Sequence, residues 1–180
     1  TSAVTTSISD SILTLTPKEN WHGVANIKAY ASDGYSKDST SFKLTVTAVN
    51  DAPVISGIPD DSTNEETTKY IVFTASDLEQ DGIIFSVSSD TSGVSVSIIY
   101  DAVSSLVDTL KLVPVKDYVG IATITLIGAD ENSGGSLSDT ISFKFKVINI
   151  NDSPVISSIS DITINEDGTG TATLSATDID

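Results

Sequence analysis

The run Asn50-Asp51-Ala52-Pro53-Val54-Ile55-Ser56 returns as Asn151-Asp152-Ser153-Pro154-Val155-Ile156-Ser157, 101 positions further on (50 to 151). A period of that size matches one small β-sandwich, so the chain reads as an array of like units, not one continuous fold. The register extends beyond the seed. Phe42 and Val46 fall on Phe143 and Val147, Asn64-Glu65-Glu66 on Asn165-Glu166-Asp167, and Ala75 and Asp77 on Ala176 and Asp178. Upstream the offset is 97: Leu13, Leu15, Pro17, Trp21, Gly23 and Asp33 fall on Leu110, Leu112, Pro114, Tyr118, Gly120 and Asp130. An insertion around Asn132-Ser133-Gly134-Gly135-Ser136, which is turn composition, accounts for the difference. Carried to the start of the chain, the shorter offset sets Thr1 on Ile98. The units are then 1–50, the C-terminal half of a repeat; 51–151, a complete repeat; and 152–180, the N-terminal part of a third. Residue 1 is therefore not expected to be a natural start.

Within each unit the apolar residues alternate with period two, and no stretch sustains a helical period. Phe42, Leu44 and Val46 share a face, as do Phe143, Phe145 and Val147; Ala25, Ile27 and Ala29; Ala122, Ile124 and Leu126. Ile71, Phe73 and Ala75, matched by Ala172, Leu174 and Ala176, and then Ile83, Phe85 and Val87, add further strands. Clusters of Gly, Pro, Asp and Asn punctuate these runs. About seven short strands per 100 residues describes an antiparallel sandwich of immunoglobulin type. The expected fold class is all-β: tandem immunoglobulin-like antiparallel β-sandwiches in an elongated array. Pro53 and Pro154 lack an N–H for a central ladder, which places them in linkers or at the start of an edge strand.

Nine Lys and Arg stand against 25 Asp and Glu, a net charge of −16. Such a surface repels nucleic acid and anionic membranes and attracts divalent cations. No nucleic-acid partner and no direct membrane contact are expected. Cysteine is absent, so a fold stapled by disulfides is excluded. The acidic residues gather at strand ends and turns: Asn50-Asp51, Glu65-Glu66, Asp77-Leu78-Glu79-Gln80-Asp81, Asp117 and Asp130. Hard oxygen donors on turns are what Ca²⁺ takes, at six to eight per ion. Taken one at a time, such residues also cap turns and solvate loops. Their joint recurrence in register favours the metal reading.

Strand-Asp77-x-Glu79 followed by Gly82-Ile83-Ile84-Phe85-Ser86-Val87 resembles the Asp-x-Asp segment of cadherin repeats. Ile124 to Asp130, then Phe143 to Val147 and Asn151-Asp152-x-Pro154, resemble the last two cadherin strands and their linker. The cadherin-like tandem repeats of large bacterial surface and secreted proteins are more similar still. They carry linkers like Val49 to Val54, Asn-Glu-Asp segments like Asn165 to Asp167, and Pro-x-x-Asp-Tyr-x-Gly as in Pro114 to Gly120. The resemblance implies Ca²⁺ at the repeat junctions. At the first it implies Asn50 and Asp51 from the linker, Asp77, Glu79 and Asp130 from the following repeat, and Glu19 from the preceding one. At the second it implies Glu65 or Glu66 and Asp117 from the middle repeat, Asn149, Asn151 and Asp152 from the linker, and Asp178 and Asp180 from the next repeat. Ala48 and Asn149 stand where animal cadherins have an acidic residue, and Ala52 and Ser153 replace an Asn, so fewer ions per junction are expected than in the animal linker.

The only histidine is His22, which leaves no zinc site of the usual kind and a single candidate base for a Ser-His-Asp triad. Carboxylate pairs can hydrolyse glycosides, but these recur at hinges, where duplicated active sites are not expected. The chain is expected to be no enzyme. It reads as a segment of an extracellular, rod-like bacterial surface adhesin, secreted or on the cell surface, with other repeats or copies, surface glycans or proteins as partners. Two alternatives stand beside this. One is a carbohydrate-binding module of a secreted polysaccharide-degrading system, using Trp21, Tyr30, Tyr35, Tyr70, Tyr100 or Tyr118. The other is a filament subunit that shares strands between chains.

Overall fold

A computed structural model describes residues 3–101, 107–131 and 135–180. Thr1 and the Asn132-Ser133-Gly134 part of the insertion lie outside the described residues. Every regular element among those described is a strand, so none is a helix long and apolar enough to cross a membrane. The chain divides into two compact units, Thr1–Asp51 and Ala52–Asp180.

The first unit holds two antiparallel hairpins. β1 (Val4–Ser9) pairs with β2 (Ile12–Pro17), and β3 (Gly23–Ser32) with β4 (Lys37–Val46). The second unit contains β5 (Val54–Ile55), β6 (Asp61–Asn64), β7 (Lys69–Ser76), β8 (Ile83–Ser89), β9 (Val94–Ile99), β10 (Val107–Pro114), β11 (Gly120–Asp130) and β12 (Ser138–Ile148). These form two four-stranded sheets, β5-β7-β10-β9 and β6-β12-β11-β8. A last hairpin joins β13 (Val155–Ile156) to β14 (Ala176–Thr177).

Alternation sets the core. Leu110 and Leu112 from one sheet face Ala122, Ile124, Leu126, Phe143 and Phe145 from the other, all buried, with Phe73 and Phe85 edge to face at 5.1 Å between them. Burying one such side chain contributes about 1.5–3 kcal/mol. The polar alternates, Lys144 and Lys146 among them, face outward.

The sequence repeat is visible bond by bond. Ser56 N donates to Thr74 O at 2.8 Å, and Ser157 N to Ser175 O at 2.8 Å. Thr67 N donates to Asn64 O, and Gly168 N to Asn165 O, with Glu66 and Asp167 in the left-handed region at φ 57° and 64°. Trp21 N donates to Lys18 O, and Tyr118 N to Val115 O, with Asn20 and Asp117 at φ 58° and 59°. One expectation needs correction at the start of the chain. Val4 pairs with Pro17 as Val94 pairs with Pro114, so β1 corresponds to β9 and Thr1 does not fall on Ile98. The cause is a longer β9–β10 connection. Two residues separate the paired Ser9 and Ile12, whereas nine separate Ile99 and Thr109.

The alternating run Ala172, Leu174, Ala176 forms a strand only over Ala176–Thr177. Its counterpart β7 is paired on both sides, with β5 and β10, whereas β14 has β13 alone. A strand paired on one side over two residues leaves the preceding stretch without a ladder.

Candidate metal centre

β6 runs parallel to β12, with Phe145 opposite Asp61 and Ile148 opposite Asn64. Carboxylates extend this ladder at each end. Lys144 N donates to Asp60 Oδ1 at 2.8 Å, and Ile150 N donates to Glu65 Oε1 at 2.6 Å. Glu65 N in turn donates to Ile148 O at 3.0 Å. Glu65 is buried, and its carboxylate is thereby fixed at the point where β12 passes into the linker.

The linker brings the next carboxylates. Asp180 Oδ2 accepts from Asp152 N at 2.6 Å, and Asp180 Oδ1 from Asn149 Nδ2 at 3.0 Å. Oxygens of Glu65, Asp152 and Asp180 consequently lie within 4.8 Å of one another, with Glu65 buried, Asp152 half-buried and Asp180 exposed. Like charges this close repel, by about 1 kcal/mol per pair in water and more where partly buried. Backbone and amide N–H groups offset part of that cost. A divalent cation would offset more, and an all-oxygen donor set of three carboxylates with a neighbouring Asn is the chemistry Ca²⁺ accepts. The residues fit the ion.

All three members of this cluster are among the residues implied for the second junction. Asn149 joins them through Asp180. Asn151 is exposed beside them and donates to Asp152 O. Asp178 Oδ1 accepts from Asp180 N at 3.3 Å and so shapes the turn that presents Asp180. Glu66 and Asp117 are engaged by Lys116, whose Nζ lies 3.0 Å from Asp117 Oδ1 and 3.8 Å from Glu66 Oε1. That ion pair raises the Lys116 ammonium above its ordinary value, chiefly through its hydrogen bond to Asp117.

The residues implied for the first junction lie in two units. In the second, Asp77 closes a turn after β7. Its Oδ1 accepts from Glu79 N at 2.9 Å and Asp81 N at 3.1 Å, while its buried Oδ2 has no hydrogen-bond partner among the described residues. Asp130, 3 % exposed at the end of β11, accepts from Leu137 N at 3.2 Å. In the first unit Asn50 and Asp51 are half-buried and engaged in interactions, and Glu19 is exposed in the turn after β2.

Lys116 is the residue that sequence reasoning passed over. Its signal was available: a cation directly before Asp117, at the position that holds Glu19 under the 97-residue offset. Tyr118, by contrast, packs half-buried on the core, seated against Gly93 and Gly120, where an added Cβ would strike its ring or hydroxyl. Trp21 holds the matching position beside Gly23. Tyr70 is exposed on β7, but its row continues into Lys111 and Ser97, with no second aromatic in line.

No protein-family model matches the chain, and no curated protein matches its sequence. Solved structures with partial likeness include the endo-fucoidan hydrolase MfFcnA4 of glycoside hydrolase family 107, at 17% identity and a TM-score of 0.42, covering 83% of this chain and 22% of that one. The surface layer protein SbsC, domains 4–9, is 16% identical with a TM-score of 0.41, covering 83% and 21%. The endo-fucoidan hydrolase MfFcnA9 is 18% identical with a TM-score of 0.40, covering 82% and 26%. The chain spans about a fifth to a quarter of the length of these structures. Likenesses of this depth assign neither fold nor function.

Proposed function

We propose that this chain is a non-enzymatic, calcium-binding segment of an extracellular surface adhesin, built of cadherin-like sandwich repeats in tandem and stiffened by Ca²⁺ at the Asn-Asp-x-Pro linkers. The observation that supports this reading most is the convergence of Glu65, Asp152 and Asp180 where one repeat passes into the next. A sandwich supplies one buried carboxylate, the linker a second, and the following hairpin a third. An ion bound there would neutralise all three and hold the linker to both of its neighbours.

Extracellular modules bind Ca²⁺ with Kd on the order of 10⁻⁴ to 10⁻³ M. Calorimetric titration should give saturable heat in that range. Asp152→Ala should weaken binding about tenfold or more, whereas Lys43→Ala, on the exposed side of β4, should leave it unchanged. Absence of heat in millimolar Ca²⁺, or equal effects of the two substitutions, would refute the reading.

A further inference from the structure

Lys116 is the only cation in its neighbourhood among the described side chains that meet there. Its ammonium lies 3.0 and 3.1 Å from the two carboxylate oxygens of Asp117 and 3.8 Å from Glu66. With Asp152 and Asp178 it lines a groove of about 380 Å³; Asp117 acts on its charge most strongly, then Glu66, and last Asp152, one of the three converging carboxylates. The side chain is largely exposed, so its four-carbon stem is free to swing. The 97-residue offset, which the paired turns at Trp21 and Tyr118 uphold in the fold, sets Glu19 at the place of Lys116 and Asn20 at the place of Asp117. One repeat therefore carries a Glu-Asn pair of charge −1 in the turn after β2, and the next a Lys-Asp pair of charge zero in the turn after β10.

We infer that Lys116 is a tethered counter-cation of the Glu65–Asp152–Asp180 cluster, which relieves carboxylate repulsion when no ion is bound and lowers that joint's affinity for Ca²⁺. This rests on the calcium reading given above. A positive charge tethered beside the carboxylates opposes a divalent ion through the same Coulomb interaction that draws the ion in. The residue at position 116 thus sets how tightly this joint holds its metal, and a Glu there would be the tight form.

The test is a Ca²⁺ titration of 15N-labelled protein followed at the Ile150 and Asp152 amides, which report this joint alone. Lys116→Gln should bind about three- to tenfold tighter than wild type, with Lys116→Glu tighter still, and Lys116→Arg and Lys43→Gln within twofold of wild type. A second readout needs no metal. In chelator at low ionic strength Lys116→Gln should melt below wild type, and the gap should close in high salt. If wild type responds to Ca²⁺ and Lys116→Gln binds no tighter, or melts as wild type does in chelator, the counter-cation role is wrong and the calcium reading stands. If neither protein responds to Ca²⁺, both fall.

Discussion

The Glu65 carboxylate accepts the Ile150 amide at 2.6 Å, across 85 positions of sequence, so a buried acid of the sandwich fixes the backbone that leads to the last hairpin. The same side chain is both strut and candidate metal ligand. The two roles separate by substitution.

Glu65→Gln keeps an oxygen for Ile150 N but loses the charge. It should fold with a stability near that of wild type and bind Ca²⁺ at least about tenfold more weakly. Glu65→Ala leaves the Ile150 amide without its acceptor and should cost about 1–3 kcal/mol in urea denaturation as well. Equal destabilisation by the two would assign Glu65 a charge-dependent structural role only.

Chelation should loosen the last hairpin before it touches the core. The Ser157 N to Ser175 O bond lies beside the linker, whereas Leu126 and Phe145 are fully buried in the sandwich. Amide exchange at Ser157 should accelerate severalfold in chelator while that of Leu126 stays unchanged. Uniform acceleration would mean that the ion stabilises the whole unit.

Asp61 contributes to the acid limb of the stability profile. Its hydrogen bond to Lys69, with Nζ 2.8 Å from Oδ2, holds its carboxyl below the ordinary value of 3.8. A lowered folded pKa gives stability that is fully present above the unfolded value and is lost as pH falls through the folded one. Both side chains are about a third exposed, so the contribution stays below about 1 kcal/mol. Asp61→Asn should lower the urea midpoint slightly at pH 7 and flatten its fall below pH 4. An unchanged slope would remove the pair from the account.

Gly93→Ala should cost about 1–3 kcal/mol, because its new methyl would enter the Tyr118 ring. Tyr118→Leu should cost stability alone yet lessen the Gly93→Ala penalty in a double-mutant cycle. Additive effects would place the strain elsewhere.

Much of this was legible in the chain because each unit repeats the same physics. Glu65, Asp152 and Asp180, which the structure brings within 4.8 Å of one another, were all among the residues that the cadherin-like resemblance implied for the second junction. The strand faces were legible from the alternation of Phe143, Phe145 and Val147. What escaped was what does not repeat. β9 reads Val94-Ser95-Val96-Ser97-Ile98-Ile99, but its counterpart β1 sits at another offset, hidden by the longer connection before β10. Lys116 escaped because its counterpart is Glu19, and a reversed sign looks like noise until the fold sets it among acids. The buried Asp108, which accepts from Asp101 N, resembles any turn residue in sequence.

The parallel pairing of β6 with β12 has a mechanical consequence. The chain passes through the two-residue β5, enters the second sheet at β6 and leaves it after β12, and parallel strands have their entry and exit at opposite ends of the ladder. Tension applied along the chain pulls the two strands past each other lengthwise. The bonds from Asp61 to Asn64, and the carboxylate clasps at Asp60 and Glu65 beyond them, then bear the load together and do not open one by one. A short ladder placed in shear is a clamp, and it sits where a pulled tether would need one.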